Sequence, residues 1–565
     1  MDMKNYIAIV LIALGALCAV SCDKFLDVQT QGYPTQDQYF QNDQQAIDAL
    51  DACYKELVNG DGVIGREIYW EQACANSIVW GRARNDMLTT ATFNYTGDEG
   101  RITKIFRFCY TQGMNRCNWV IQQLRLKEKN TTLTDVEKRS LGEAYFLRAY
   151  WHFIIAYRYG TKDLGVPFVA YEKVEGGYNN EIPEQQASVM VNYEFIVDDL
   201  AQAEELLSRV EDYSNADKGR VHKASAAALM AKVYAYWATW DATQWPNVIT
   251  CVNRLEQSYG RGLVSDFAKL FSPKVSDFWN EEYCFAWPST GGFDGGSTGG
   301  GVEFPGVCFV NGGYGKFNGW GQIKPSLDLW EEMSKDNVNG EKNYRLKNTI
   351  IMAGEEFPFW GDEHFVFKDE RDNQAGFLIG KYLQPLAPAD PFAEGYVCSN
   401  GDYPTFQLNY PIVRFGDCLL LRAEAYLATG NNSAATADIN RIRTRSNLQP
   451  ISGTATWADL YHERTCELAL ELANDHAYDC KRWAYTGNAT TKGTEIATLA
   501  TNELNTHPRV REFINRSDPS QGYNDVPYPD YLNQNPWNDK YMTFPYPSEQ
   551  INKSAGKLKN PPTWQ

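Results

Sequence analysis

Residues Arg414 to Ser446 read RFGDCLLLRAEAYLATGNNSAATADINRIRTRS, and their spacing decides the fold class. Leu419, Ala423 and Leu427 recur at four-residue steps, which places them on one face of a helix. Gly430 supplies the stop that such a helix needs. Ser433 is then the expected N-cap of a second helix, continued by Ile439 and Ile442. Two helices joined by a short Gly/Asn turn, with alanines at the contact, read as a helical hairpin.

The same pattern recurs upstream. From Asp37 to Leu57, Phe40, Ala46, Leu50, Tyr54 and Leu57 follow three- and four-residue steps. Thr103 to Leu126 repeats it through Ile105, Phe108, Met114, Val120 and Leu124. The stretch LTDVEKRSLGEAYFLRAYWHFIIAYRYG (133–160) has Thr134 as an N-cap, acids in the first turn and Gly160 past the end. Gln185–Leu207 and Lys223–Trp240 are two more helices, and ASAAALMAKVYAYWA in the latter lets a neighbour approach closely. The predicted fold is mainly α, built from degenerate helical hairpins of tetratricopeptide type. Between the helical blocks, about 265 to 410, lie WPSTGGFDGGSTGGGVEFPG and VNGGYGKFNGWGQIKPS. Glycine and proline at that density make loops or short strands, the usual carriers of binding residues.

The ends and the composition set further bounds. Tyr6 to Val20 is apolar but short for a membrane span, Lys4 precedes it, and Ala19 and Ser21 lead into Cys22. This fits a lipoprotein signal cut before Cys22, although Ala19 stands where leucine is usual; an ordinary secretory signal is the alternative. A net charge of −18 with no basic stripe argues against nucleic acid. The thirteen cysteines lack CxxC spacing, so neither a zinc site nor a disulfide framework is suggested, and Cys109 and Cys117 are expected as free core thiols. Six histidines are spread too thinly for a metal cluster.

No catalytic motif survives its context. GGSTG (295–299) matches G-x-S-x-G, but Ser297 sits in a glycine tract with no helix after it. NGGYGKFNG has Asn318 where a dinucleotide loop needs its third glycine. A glycosidase pair among Asp294, Glu303 and Asp362 is the weaker alternative. The informative number is aromatic, 14% of the chain with 16 Trp. Trp151, Trp237 and Trp240 fall in helices and belong to the core. Trp80, Trp287, Tyr314, Phe317 and Trp320 fall in or beside loops, and Arg82, Arg84, Asn85 and Asp86 follow Trp80. An indole face beside such polar groups suits the C–H face and hydroxyls of a sugar.

Five segments then carry a family resemblance. CDKFLDVQTQGYPTQDQYF (22–40) resembles the mature start of SusD/RagB-family lipoproteins. GEAYFLRAYWHFIIAYRYG followed by LGVPFV resembles their LRA-aromatic helix and turn. YPIVRFGDCLLLRAEAYLATGNNSAATADINRIRTRS, ERTCELALELANDHAYDCKRW and YMTFPYPSEQINKSAGKLKNPPTWQ are similar to their R-x-x-[DE]…A-E-A…N-x-[IV]-R-x-R, E-R-x-x-E-L…R-W and closing elements. Leu472, Ser554 and Lys559 depart from the usual residues. The resemblance implies a non-enzymatic surface lipoprotein of Bacteroidetes, lipidated at Cys22 on the outer membrane. It would capture a glycan, or in some members a peptide, for a SusC-like TonB-dependent transporter, with no cofactor. Its organisation would be a signal at 1–21, a tether at 22–36, helical parts at 37–264 and 411–565, and a ligand-binding region at 265–410. Trp80, Arg82, Asn85, Trp287, Tyr314 and Trp320 are the expected ligand contacts.

Overall fold

The computed structural model describes residues 39–58, 78–80, 85–175, 177, 182–272, 277–287, 323–359, 362–368, 375–381, 409–471 and 476–565. Its principal helices are α1 (Asp43–Val58), α2 (Asn115–Glu128), α3 (Asp135–Tyr159), α4 (Val189–Leu206), α5 (Lys223–Trp237) and α6 (Trp245–Gln257). After a strand-rich middle come α7 (Phe415–Ala428), α8 (Asn432–Arg445), α9 (Trp457–Glu467), α10 (His476–Ala484) and α11 (Glu495–Asn505).

Neighbours in sequence pack on one another in series. α3 packs on α1, α2 and α4; α4 packs on α5, α5 on α6, α6 on α7 and α7 on α8. α5 sits at the centre: Ala226, Ala227, Ala228 and Ala231 are fully buried, and α4, α6 and α7 pack around it. Their missing side-chain bulk permits those close approaches, and the helix is apolar almost all round, as a buried helix must be.

Several ends are set by the chemistry the sequence displayed. Thr134 forms a complete capping box with Glu137 and starts α3, and Gly160 is its C-cap. Gly430, at φ +79°, ends the α7 turn, a conformation that glycine adopts without a steric penalty. The next cap differs from expectation: the Asn431 side chain accepts the Ala434 N–H, and Ser433 lies inside α8. α1 starts at Asp43 rather than Asp37, because Phe40 takes φ +63° and Asn42 accepts the Gln45 N–H. The expected helix over 103–126 is three pieces, Gly100–Phe106, a π-helical stretch Arg107–Met114, and α2. The wider π turn brings Phe108, Cys109 and Tyr110 inward together with Met114, a re-phasing that a strict 3.6-residue repeat does not give.

Ten short strands form five antiparallel two-stranded ribbons among the described residues. β1 (Ile78–Trp80) pairs with β3 (Ile323–Pro325), and β2 (Tyr283–Trp287) with β8 (Tyr410–Arg414). β4 (Ile350–Met352) pairs with β7 (Phe377–Ile379), and β5 (Glu356–Phe359) with β6 (Asp362–Val366). β9 (Arg509–Phe513) and β10 (Tyr523–Pro527) form the last ribbon. Beyond it the chain returns to its N-terminal half. The Phe544 N–H donates to the Arg158 carbonyl, and the Tyr546 hydroxyl to that of Gly165. Trp151 is fully buried, whereas Trp237 and Trp240 are half-buried against the core. Cys109 and Cys117 are buried and form no disulfide, as expected. Among the described residues no helix is long and apolar enough to cross a membrane.

Candidate functional site

Two ribbons position the predicted loop aromatics that fall within the described residues. Trp80 closes β1 opposite Ile323, the first residue of β3. Trp287 closes β2 opposite Tyr410, the first residue of β8. Both tryptophans therefore stand at a strand end. They lie on different ribbons: β1–β3 neighbours β7, while β2–β8 rests on α5. Asn85 opens the helix Asn85–Ala91. Arg82, Tyr314, Trp320 and Cys22 lie outside the described residues, as do Ser297, Asp294 and Glu303; Asp362 begins β6.

The residues that carried the family resemblance have another task. Arg414, the first residue of the decisive stretch, is buried, with its guanidinium paired to Glu471 at 2.8 and 2.7 Å, Glu282 at 2.6 Å and Glu467 at 2.9 Å. Arg445 pairs with Glu282 and Glu467. Arg345 joins Glu463, Glu467 and Asp336, and Arg443 joins Glu463 and Asp336. Lys381 meets Glu471 at 3.0 Å. Burial alone would raise the Glu467 carboxyl, but Arg445, Arg414 and Arg345 hold it down at about 2. Burial pulls Lys381 down to about 8 even though Glu471 favours its charge. Nearby, Arg482 pairs with Glu424 and Asp479, and Arg464 with Asp417 and Asp479. In the N-terminal half, Arg148 of the LRA helix clamps Asp199 of α4 and Glu172, each through two hydrogen bonds. These motif charges bond one another inside the fold, so they are framework rather than ligand contacts.

The described residues also line two large open cavities. One, of about 550 Å³, is lined by Asp328, Glu332, Asp336, His462, Asn502 and Glu503 among others. His462 bridges Glu332 at 2.7 Å and Asp336 at 3.0 Å across its wall. The other, of about 640 Å³, is lined by Arg125, Tyr145, Glu172, Lys173, Asp198 and Gln202 among others. Neither is lined by tryptophan, so they are distinct in chemistry from the aromatic platform expected at the strand ends. Sequence reasoning did not anticipate either one, because their walls come from side chains far apart in the chain.

Comparison with known proteins covers most of the chain. Residues 289–564 match the family model described as the SusD family, and residues 24–235 match one described as starch-binding associating with outer membrane. A SusD-like protein of Bacteroides ovatus is 23% identical over 506 residues, covering 84% of this chain and 82% of the relative. The crystal structure of a SusD-like protein from Bacteroides fragilis superposes with a TM-score of 0.69 at 20% identity, over 92% of this chain and 97% of that one. A laminarin-binding SusD-like protein superposes with a TM-score of 0.65 at 18% identity, over 93% of this chain and 100% of the other.

Proposed function

The chain belongs to the SusD/RagB family, and we propose that it is a cell-surface lipoprotein that captures a glycan and hands it to a SusC-like TonB-dependent transporter. The protein binds rather than catalyses. What carries this reading is the agreement of two family models along most of the chain with a fold shared, end to end, with a laminarin-binding SusD-like protein. Cys22 is the proposed lipid anchor to the outer membrane. The proposed platform is Trp80, Trp287 and Trp320 with Tyr314, and Arg82 and Asn85 supply polar contacts to hydroxyls. Stacking fits these residue types, since an indole offers a broad apolar face at little conformational cost.

Affinity electrophoresis in gels containing plant, host and microbial polysaccharides tests this. Wild-type protein is expected to be retarded by one glycan class. An indole covering roughly 80 Å² of sugar contributes about 2 kcal/mol at 25 cal/mol per Å², so Trp320→Ala or Trp287→Ala should weaken binding by about 30-fold. Retardation that is unchanged in both variants, and in Trp80→Ala, would refute the platform while keeping glycan capture. Absence of retardation on every glycan, with binding to peptides instead, would refute glycan capture itself.

A further inference from the structure

The six histidines, dispersed along the sequence, conceal one compact constellation. His476 and Cys480 are four residues apart on α10 and so share a helix face. α11 packs against α10 and brings Glu503 to both. The His476 Nε2 lies 2.9 and 3.1 Å from the two Glu503 carboxylate oxygens. The Cys480 Sγ lies 3.6 Å from His476 Nε2 and 3.3 Å from Glu503 Oε2. All three side chains are buried, and their ligand atoms lie within 4.8 Å of one another.

We propose that His476, Cys480 and Glu503 form a zinc site. With Zn–N and Zn–O near 2.0–2.1 Å and Zn–S near 2.3 Å, a tetrahedral ion places its N and O ligands about 3.3 Å apart and its sulfur about 3.5 Å from each. The three observed separations meet that triangle with shifts of a few tenths of an ångström. Charge also balances. A divalent cation with one thiolate, one carboxylate and a neutral imidazole is a neutral unit, the form in which charges are tolerated in a protein interior. Binding displaces two protons: the thiol proton that Sγ donates to Glu503 Oε2 leaves to solvent, and the Nε2 proton that His476 shares with the same carboxylate moves to Nδ1, so that the imidazole ligates in its neutral form. Glu503 and Tyr461 also line the 550 Å³ cavity, which gives the ion an entry route and room for a water as fourth ligand. The Tyr461 hydroxyl donates to Glu503 Oε2 and orients the carboxylate from outside the triangle. His462 and Cys466, one helix turn apart on α9, are a built-in comparison: there the two ring nitrogens face two different carboxylates, Nδ1 that of Glu332 and Nε2 that of Asp336.

The test uses the full chain purified from zinc-supplemented medium. Metal analysis should return about one zinc per chain. Exchange with cobalt(II) should give the near-ultraviolet thiolate-to-cobalt band of a tetrahedral site. Cys480→Ser should abolish that band and weaken retention at least about tenfold, as loss of a ligand must exceed loss of an outer-shell partner, and Cys466→Ser should change neither. A wild-type protein that holds no stoichiometric zinc and shows no cobalt–thiolate band overturns the proposal, whatever becomes of the variants. So does zinc retained equally by wild type, Cys480→Ser and Glu503→Gln, which would locate the metal elsewhere.

Discussion

Arg414→Met is the perturbation that most directly interrogates the interior. Five cations (Arg345, Lys381, Arg414, Arg443 and Arg445) and five carboxylates (Glu282, Asp336, Glu463, Glu467 and Glu471) form the core of a connected network that His462 extends from Asp336 to Glu332 and Lys335. Within that core the charges match, so removing Arg414 leaves one buried negative charge in excess there and strips Glu471 of a two-pronged partner, leaving it Lys381. Removing one partner of a buried ion pair costs about 3–5 kcal/mol. At roughly 2.1 cal/mol/K per residue, unfolding 565 residues carries about 1.2 kcal/mol/K. The Tm should therefore fall by about 3–4 °C, which scanning calorimetry at neutral pH resolves. The companion is Arg414→Met with Glu471→Gln, which restores neutrality and should recover at least ~1 °C relative to Arg414→Met alone. A fall of less than 1 °C for the single variant, or a double variant that simply adds the two losses, would refute the reading of this cluster as a charge-matched framework.

Acid sensitivity follows from the same network. Glu467 sits at about 2 when folded against an ordinary value near 4.5, so its contribution is fully present above pH 4.5 and is lost as pH falls toward 2. That amounts to about 3 kcal/mol, and Arg445→Met, which removes a cation paired with Glu467, should move the acid-unfolding midpoint upward in a circular-dichroism titration. In the turn after α3, a Cβ on Gly165 would lie 2.3 Å from the Asn192 Oδ1 and 2.6 Å from the Ser188 carbonyl. Gly165→Ala should cost about 1–3 kcal/mol by displacing Asn192 from its two bonds to the Val166 backbone, read as a lowered melting temperature. Thr134→Ala removes the capping box of α3 and should cost about 1 kcal/mol in the same assay, with Thr134→Ser restoring most of it.

Helix identity was legible in the sequence because it depends on local spacing. The apolar steps of 419, 423 and 427, the Thr134 cap and the Gly430 stop all survive in the structure. Boundaries slipped where two local options compete. Asn431 and Ser433 are both good caps, and the structure uses the earlier one, directly after the left-handed Gly430. The π stretch 107–114 was hidden because its re-phasing follows from packing against α1 and α3, which no local spacing encodes. The charged network was visible only as residue types on helix faces. Its pairings join Arg414 to Glu282, 132 positions away, and Arg345 to Glu463, 118 away. The His476–Cys480 step was readable as a helix face, but Glu503 comes from the next helix and completes the set only in three dimensions.

The positions that make the chain recognisable are thus a poor guide to what it binds. Arg148, Arg414, Glu424, Arg445, Glu467 and Arg482 are each consumed by partners inside the fold. Substituting one of them strands a buried opposite charge, so each is costly to change whatever the ligand. Trp80 and Trp287 stand under a different constraint. They are the last residues of β1 and β2, held in register by β3 and β8. A loop rooted in a rigid base can alter its aromatic and polar residues at little cost to stability, so ligand choice is free to vary while the fold stays fixed. The proposed platform is therefore to be tested by exchanging the segments 81–84 and 288–322, with the charged interior left intact.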